Sequence, residues 1–343
     1  MTNQVTIALD AMSGDNGLDV VIPAAIDAVK QHTNLQLILV GDTDAITASL
    51  QKYDSLNHPQ LTIHHASQVI AMDETPISAL RYKKDSSMRV AINLVKENQA
   101  QACVSAGNTG ALMAIAHFML KTLAGIKRPA IMSDMPSRND DGCVRMLDLG
   151  ANIDVTSEML FQFAVMGSVL TSAVTGIEKP KVALLNIGEE EMKGNEVVKK
   201  AAVLLSQCKD INYIGFVEGN DIFTGVADVI VCDGFVGNVA LKAMEGLARY
   251  IGYSIKKAFR RNVLTKLAGA CAIFVLKPLM KHLNPEFYNG ANFIGLKHIV
   301  IKSHGGVTAK GFEQAIERAI VTVEKDVPNL IEHKVTEIMA KEI

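Results

Sequence analysis

The chain has 343 residues, 49% of them apolar, with a formal net charge of −2; it can enclose a large core and is not a globally basic nucleic-acid binder. Mean hydropathy is +0.20, yet the longest uncharged apolar run, residues 267–276, falls short of the roughly 20 residues that cross a bilayer. The opening MTNQVTIALD lacks the basic and apolar regions of a signal peptide. The five cysteines, Cys103, Cys143, Cys208, Cys232 and Cys271, are widely spaced and contain no CxxC pair. They fit neither a disulfide framework nor a structural zinc site, which points to a reducing cytoplasm with each cysteine as a small core residue.

Short β-branched or leucine-rich runs at 5–10, 35–41, 61–66, 102–107, 130–134, 145–150, 181–188, 211–218, 228–233 and 298–303 read as strands. Most are apolar on both faces, as strands between helix layers are. Helical stretches at 18–31, 86–98, 108–121, 156–175, 195–208 and 235–261 alternate with them. The expected fold is therefore a three-layer α/β/α sandwich with a mostly parallel sheet. No low-complexity linker or internal repeat interrupts the chain, so residues 1–343 are expected to form one unit.

Ligands of such folds collect beyond the carboxyl ends of the strands. Five polar, glycine-rich loops follow strands here: DAMSGD (10–15), SAGNTG (105–110), NIGEEEMKGN (186–195), DGFVGN (233–238) and SHGG (303–306). They are expected to share one end of the sheet and line a backbone-rich cleft. In the second, Asn108, Thr109 and Gly110 open an apolar helix, serving either as a plain cap or as an anion seat. In the third, Lys193 precedes Gly194, Asn195 and a helix. A cation at that end opposes the helix dipole by about 0.3–1 kcal/mol, which makes sense if an anion binds there; the alternative is a solvated lysine. Glu189–Glu191 read as solvated, since no HExxH or DxDxDG pattern supports a metal.

Asn238, after Asp233, is either a helix cap or an amide donor able to stabilise an oxyanion. Lys302, Ser303 and His304 end the last strand; adjacent residues on an extended chain point apart, so Ser303 and His304 form no dyad, and His304 reads as a hydrogen-bonding loop residue. His117, in an apolar helix, reads as core. The sequence has no GxGxxG, GxxxxGK[ST] or GxSxG motif, and no cofactor or metal is expected.

Residues 255–282 carry seven Lys/Arg and no acid. On a helix Lys266, Lys277 and Lys281 fall within about 60° of one another. The arc between Leu264 and Met280 is largely apolar and includes Leu267 and Phe274. Such an amphipathic segment, about 255–287, suits a dimer interface, an anionic membrane surface or an acidic protein, and Pro278 is expected to kink it.

In order and spacing, the motifs ALDAMSGD, SAGNTGALM, GIKRPAI, LDLGAN, LLNIGEEEMKGNE, GFVEGNDIFTGVADVIVCDGFVGNVALKAMEG and GLKHIVIKSHGG resemble, nearly end to end, the acyl-acyl-carrier-protein:phosphate acyltransferase (PlsX) family. The pattern departs from that family's at Ser13, Leu18 and within 288–310. The resemblance implies a fold similar to isocitrate/isopropylmalate dehydrogenases and phosphotransacetylases, a homodimer, and peripheral membrane attachment of a cytoplasmic enzyme. It implies transfer of a fatty acyl group from acyl carrier protein to inorganic phosphate, without cofactor or nucleic acid. By motif, Lys193 and Asn238 occupy the catalytic positions. The loops then supply Asp10, Gly14, Asn108, Thr109, Gly110, Gly194, Asn195, Asp233, Ser303 and His304 as candidate substrate- and phosphate-binding residues. Leu264, Lys266, Leu267, Phe274, Lys277 and Lys281 are the candidate membrane or partner contacts. The rival readings are a nicotinamide-dependent decarboxylating dehydrogenase of similar fold and a non-catalytic carrier- or membrane-binding regulator.

Overall fold

The computed structural model describes residues 4–283 and 285–341, excluding the side chains of 278–285 and 339–341. In chain order the first half forms β1 (Val5–Asp10), α1 (Leu18–Gln31), β2 (Leu35–Gly41), α2 (Thr43–Lys52), β3 (Leu61–His65), α3 (Pro76–Tyr82), α4 (Ser87–Lys96), β4 (Ala102–Ser105), α5 (Thr109–Leu120) and β5 (Ala130–Pro136). The second half forms β6 (Cys143–Leu147), α6 (Ser157–Thr175), β7 (Lys181–Leu185), α7 (Glu196–Gln207), β8 (Asn212–Val217), β9 (Val229–Val231), α8 (Gly234–Phe259), α9 (Val263–Leu283), β10 (Ala291–Ile294), β11 (Ile299–Lys302), α10 (Ala309–Glu324) and α11 (Val327–Lys341).

The strands build one 11-stranded sheet in the order β3-β2-β1-β4-β11-β10-β5-β6-β9-β7-β8. From β3 to β11 they run parallel, and β6, β9, β7 and β8 also run parallel to one another. Three antiparallel pairings separate these blocks, β11–β10, β10–β5 and β5–β6. The sheet is mostly parallel, as expected, but an odd number of reversals makes the two blocks run in opposite directions. The five polar loops therefore do not share one sheet end.

Strand alternation feeds three apolar clusters. On one face α4, α5 and the early turns of α8, through Ala240, Leu241 and Met244, cover both blocks in a single cluster. On the other, α1 and α10 cover the first block, and α6, α7 and α11 cover the second. α6 is long and apolar enough to cross a membrane, but 61% of its apolar window is buried, so it is a core helix. At the seam, Arg318 of α10 pairs with Asp134 of β5, and Arg145 of β6 bonds Asp141 at 2.6 Å.

The amphipathic segment departs from expectation. Asn262 and Thr265 cap each other reciprocally, each backbone N–H donating to the other's side chain at 2.9 Å. That capping box starts a new helix, so the segment is a hairpin of α8 and α9. α9 runs through Pro278 to Leu283; one missing backbone hydrogen bond does not end it. Cys271 is exposed on α9, unlike buried Cys103 and Cys232.

Candidate functional site

At the ends of β1, β4 and β11 three loops interlock. Asp15 N–H donates to Gly305 O at 2.9 Å, and Gly14 packs against Ala106 and Gly305. Asp10 is completely buried; its Oδ2 accepts from Ser105 Oγ at 2.6 Å, and burial pushes its carboxyl pKa up. Ser303 is also completely buried, its Oγ accepting from Asn289 Nδ2 at 2.8 Å. Asn108 caps α5 by accepting from Ala111 N at 2.9 Å, and its amide donates to Met72 O and Glu74 O at 2.8 and 3.0 Å. Thr109 and Gly110 form the exposed first turn of α5. His304 Nδ1 accepts from Gly306 N at 3.1 Å, and burial lowers its pKa; the ring is a neutral Nε2–H donor, in keeping with a hydrogen-bonding loop residue.

The second group lies beyond β7 and β9, neighbours in the oppositely directed block. Asn186 Nδ2 donates to Gly188 O and Lys193 O, both at 3.1 Å, curling the 188–193 loop. Gly194 has φ +93°, and a side chain there would collide with Asn186, so only glycine fits. Asn195 then caps α7 through Val198 N at 2.9 Å. The Lys193 ammonium is exposed and lies 3.0 Å from Glu190 Oε2; that hydrogen bond holds its pKa above the ordinary lysine value. The acidic run is solvated as expected, but Glu190 also tethers the cation.

Asp233, not Asn238, caps α8, accepting from Val236 N at 2.9 Å. Asn238 stands one turn further on, exposed, over Gly150. Gly237 beside it touches Asp148 O so closely that no Cβ fits, which seats the helix on the 148–152 loop. The buried Asp148 carboxylate holds that loop, accepting from the N–H groups of Ile131, Ala151 and Asn152 at 2.9, 3.0 and 2.7 Å.

α8 leads from this second group towards the first. Lys242, one turn beyond Asn238 and so on the same helix face, lies close enough to Lys302 to depress its pKa. Lys302 ends β11 and is only 9% exposed. Its Nζ donates to Ser303 O and, at 3.4 Å, to Ala106 O, and has no carboxylate in ion-pair contact among the described residues. Burial, more than Lys242, brings its pKa down to about 8. The sequence reading named Lys302 without giving it a role; its signal is alternation, since Val300 and Lys302 share the inward face of a strand whose whole length is buried.

Leu264, Leu267 and Phe274 are exposed at 77%, 61% and 83%, with Lys266 and Lys277 exposed among them; the Lys281 side chain lies outside the described residues. Among the described residues no cluster of three or more His, Cys, Asp or Glu is placed to hold a metal ion.

A family profile described as "Fatty acid synthesis protein" matches residues 5–330. The chain is 56% identical to a phosphate acyltransferase of Legionella pneumophila, covering 98% of this chain and 97% of that one. It is 56% identical to the Coxiella burnetii phosphate acyltransferase, covering 97% of each chain, and 52% identical to that of Halorhodospira halophila, covering 100% and 99%. Among solved structures, a Streptococcus pyogenes phosphotransacetylase superposes with a TM-score of 0.63 at 17% identity, over 95% of this chain and 94% of that one. A Salmonella typhimurium 4-hydroxythreonine-4-phosphate dehydrogenase gives 0.53 at 12%, over 94% and 99%; both likenesses establish the fold alone. With more than half its residues shared with these acyltransferases over almost its whole length, the chain belongs to the phosphate acyltransferase (PlsX) family.

Proposed function

We propose that the whole chain acts as one catalytic unit, transferring a fatty acyl group from acyl carrier protein to inorganic phosphate in phospholipid synthesis. A phosphate oxygen attacks the thioester carbonyl carbon, the C–S bond breaks, and the products are acyl phosphate and the free carrier thiol. Phosphate is already largely ionised at neutral pH and thiolate leaves readily, so no covalent enzyme intermediate is required.

The observation that carries this reading is the near-complete match to phosphate acyltransferases. The site chemistry is consistent with it. Lys193 supplies an exposed positive charge where the amino end of α7 already favours an anion. Asn238 supplies an amide donor for the tetrahedral oxyanion, worth about 3–4 kcal/mol when well placed. Gly194, Asn195 and Asp233 fix the backbone around them, while Asp10, Gly14, Asn108, Ser303 and His304 hold the substrate-binding loops at the β1–β4–β11 end, with Thr109 and Gly110 presenting free amides.

The exposed apolar residues of α9 flanked by lysines favour peripheral contact with an anionic membrane from the cytoplasm. Phe235, Val239, Leu247, Tyr250 and Tyr253 leave much of α8 apolar and uncovered, which favours a second copy of the chain as its partner.

The test is to mix purified protein with acyl carrier thioester and follow thiol release with and without inorganic phosphate, trapping acyl phosphate with hydroxylamine. Phosphate-dependent release with equimolar acyl hydroxamate is expected. Carrier binding without acyl phosphate would overturn the proposal.

A further inference from the structure

Buried cations in this fold are expected to have carboxylate partners, because an uncompensated buried charge is costly. Arg145 obeys the rule, with Asp134 and Asp141 in contact. Lys302 does not. Two of its three N–H donors meet the carbonyls of Ala106 and Ser303, leaving a donor and a full charge unmatched.

The sheet explains why no carboxylate of the strands reaches it. Lys302 pairs in register with Ser105, and Asp10 lies on the far side of Ser105 with its Oδ2 bonded to that hydroxyl. Two strand spacings, about 10 Å of backbone, therefore separate Asp10 from Lys302. Nearby, Ser13 on the β1 loop is 2% exposed, with its hydroxyl against the buried Asp10 carboxyl. It abuts Gly107, and its neighbour Gly14 packs on Ala106, the residue whose carbonyl contacts Lys302. A buried cation without a carboxylate in ion-pair contact thus sits on the interlocked loops at three parallel strand ends, where open α/β sheets bind ligands.

We infer that Lys302 is a binding residue for a phosphate oxyanion of the reactants, forming a seat separate from Lys193 at the β1–β4–β11 end. This rests on the acyltransfer reading and deepens it. Two reactants carry such an oxyanion: free inorganic phosphate, and the phosphodiester of the carrier's prosthetic arm. The charged groups facing Lys302 are Lys242 of α8, Asp15 on the β1 loop and Asp10 of β1; the neutral His304 on its own loop lies beside it and in turn faces Glu245 of α8; none is in ion-pair contact with Lys302.

The experiment compares Lys302→Met and Lys302→Arg with the unaltered protein in the thiol-release assay, varying phosphate and acyl carrier separately. Lys302→Met is expected to raise one apparent KM at least tenfold, with kcat changed less than threefold and the arginine variant restoring most of the loss. A rise for inorganic phosphate identifies the free anion as the ligand; a rise for the carrier alone identifies the prosthetic arm.

Because the methionine also removes a buried charge, its melting temperature should stay the same or rise. In the unaltered protein the affected KM should climb above about pH 8, where Lys302 loses its proton, and the arginine variant should abolish that climb. Both KM values within twofold of the original would overturn the inference, as would a parallel rise accompanied by a lowered melting temperature, the mark of a structural lysine. Binding of inorganic phosphate alone, followed by 31P NMR, separates this inference from the proposed reaction. Weaker binding to Lys302→Met upholds the seat even if acyl transfer fails, and active transfer with a silent Lys302→Met defeats the seat alone.

Discussion

At the ends of β1, β4 and β11, the polar side chains other than Lys302 are consumed by the fold. Ser105 serves Asp10, Asn289 serves Ser303, and Asn108 both caps α5 and ties down residues 72–74. Beyond the ends of β7 and β9, Lys193 on its loop and Asn238 in the second turn of α8 stand exposed, on backbone fixed by glycines and caps that leaves these two head groups to solvent and to Glu190. The difference separates side chains that hold the fold together from side chains left exposed to solvent. Substitutions of Lys193 and Asn238 should remove activity and spare the fold; substitutions of Asp10, Ser105, Asn289 or Asn108 should cost stability first.

The sharpest break of that comparison is Lys193→Ala or Asn238→Ala. Each should lower kcat about 100- to 1000-fold, the usual loss for an oxyanion-stabilising donor. Melting temperatures should hold, since both side chains are exposed.

Next comes α9, which belongs to neither group. Phe274→Glu should weaken sedimentation with anionic lipid vesicles about 10- to 100-fold, from the apolar burial it forfeits. Thiol release in vesicle-free buffer should be unchanged.

Asp10→Ala should cost about 1–3 kcal/mol of stability, read by denaturant titration, because it orphans the buried Ser105 hydroxyl. The accompanying pH effect has a definite sign. Burial holds the native Asp10 pKa above 3.8, so its contribution to stability is complete below pH 3.8 and lost as pH rises through the native value. Asp10→Asn should flatten that part of the stability–pH curve.

The smallest effect is Glu190→Gln. An exposed ion pair contributes little, but releasing Lys193 from a competing carboxylate should lower the KM for phosphate about twofold.

Much of the fold is legible in the sequence because buried strands are apolar on both faces: each of the ten predicted strand runs overlaps one of the eleven strands. The exception is β10. Its four residues, ANFI, offer too short a pattern, and its antiparallel pairing with β5 and β11 is a long-range choice that local sequence does not encode. Missing that strand is what made five loops look co-terminal. The predicted helical stretches also omit α2 and α3, which are short and bury little, and the C-terminal helices α10 and α11.

For the site, the KGN and GFVGN motifs pointed to Lys193 and Asn238, whereas their partners needed coordinates. Whether Asp233 or Asn238 caps α8 depends on where the first turn begins, and the Glu190–Lys193 pair depends on how Asn186 folds the loop. The strand-end motif names Lys302, but its burial depends on the neighbouring strands and needed coordinates.

The most direct test of the division between reacting and supporting residues is a phosphate titration of carrier-thiol release, run side by side on the unaltered protein, Lys193→Ala and Asn238→Ala, with melting temperatures recorded on the same samples. Saturable, phosphate-dependent release is expected only from the unaltered protein, with both variants at least about 100-fold slower and equally stable. Variants that remain folded and turn over at near-normal rates would place the reacting groups elsewhere.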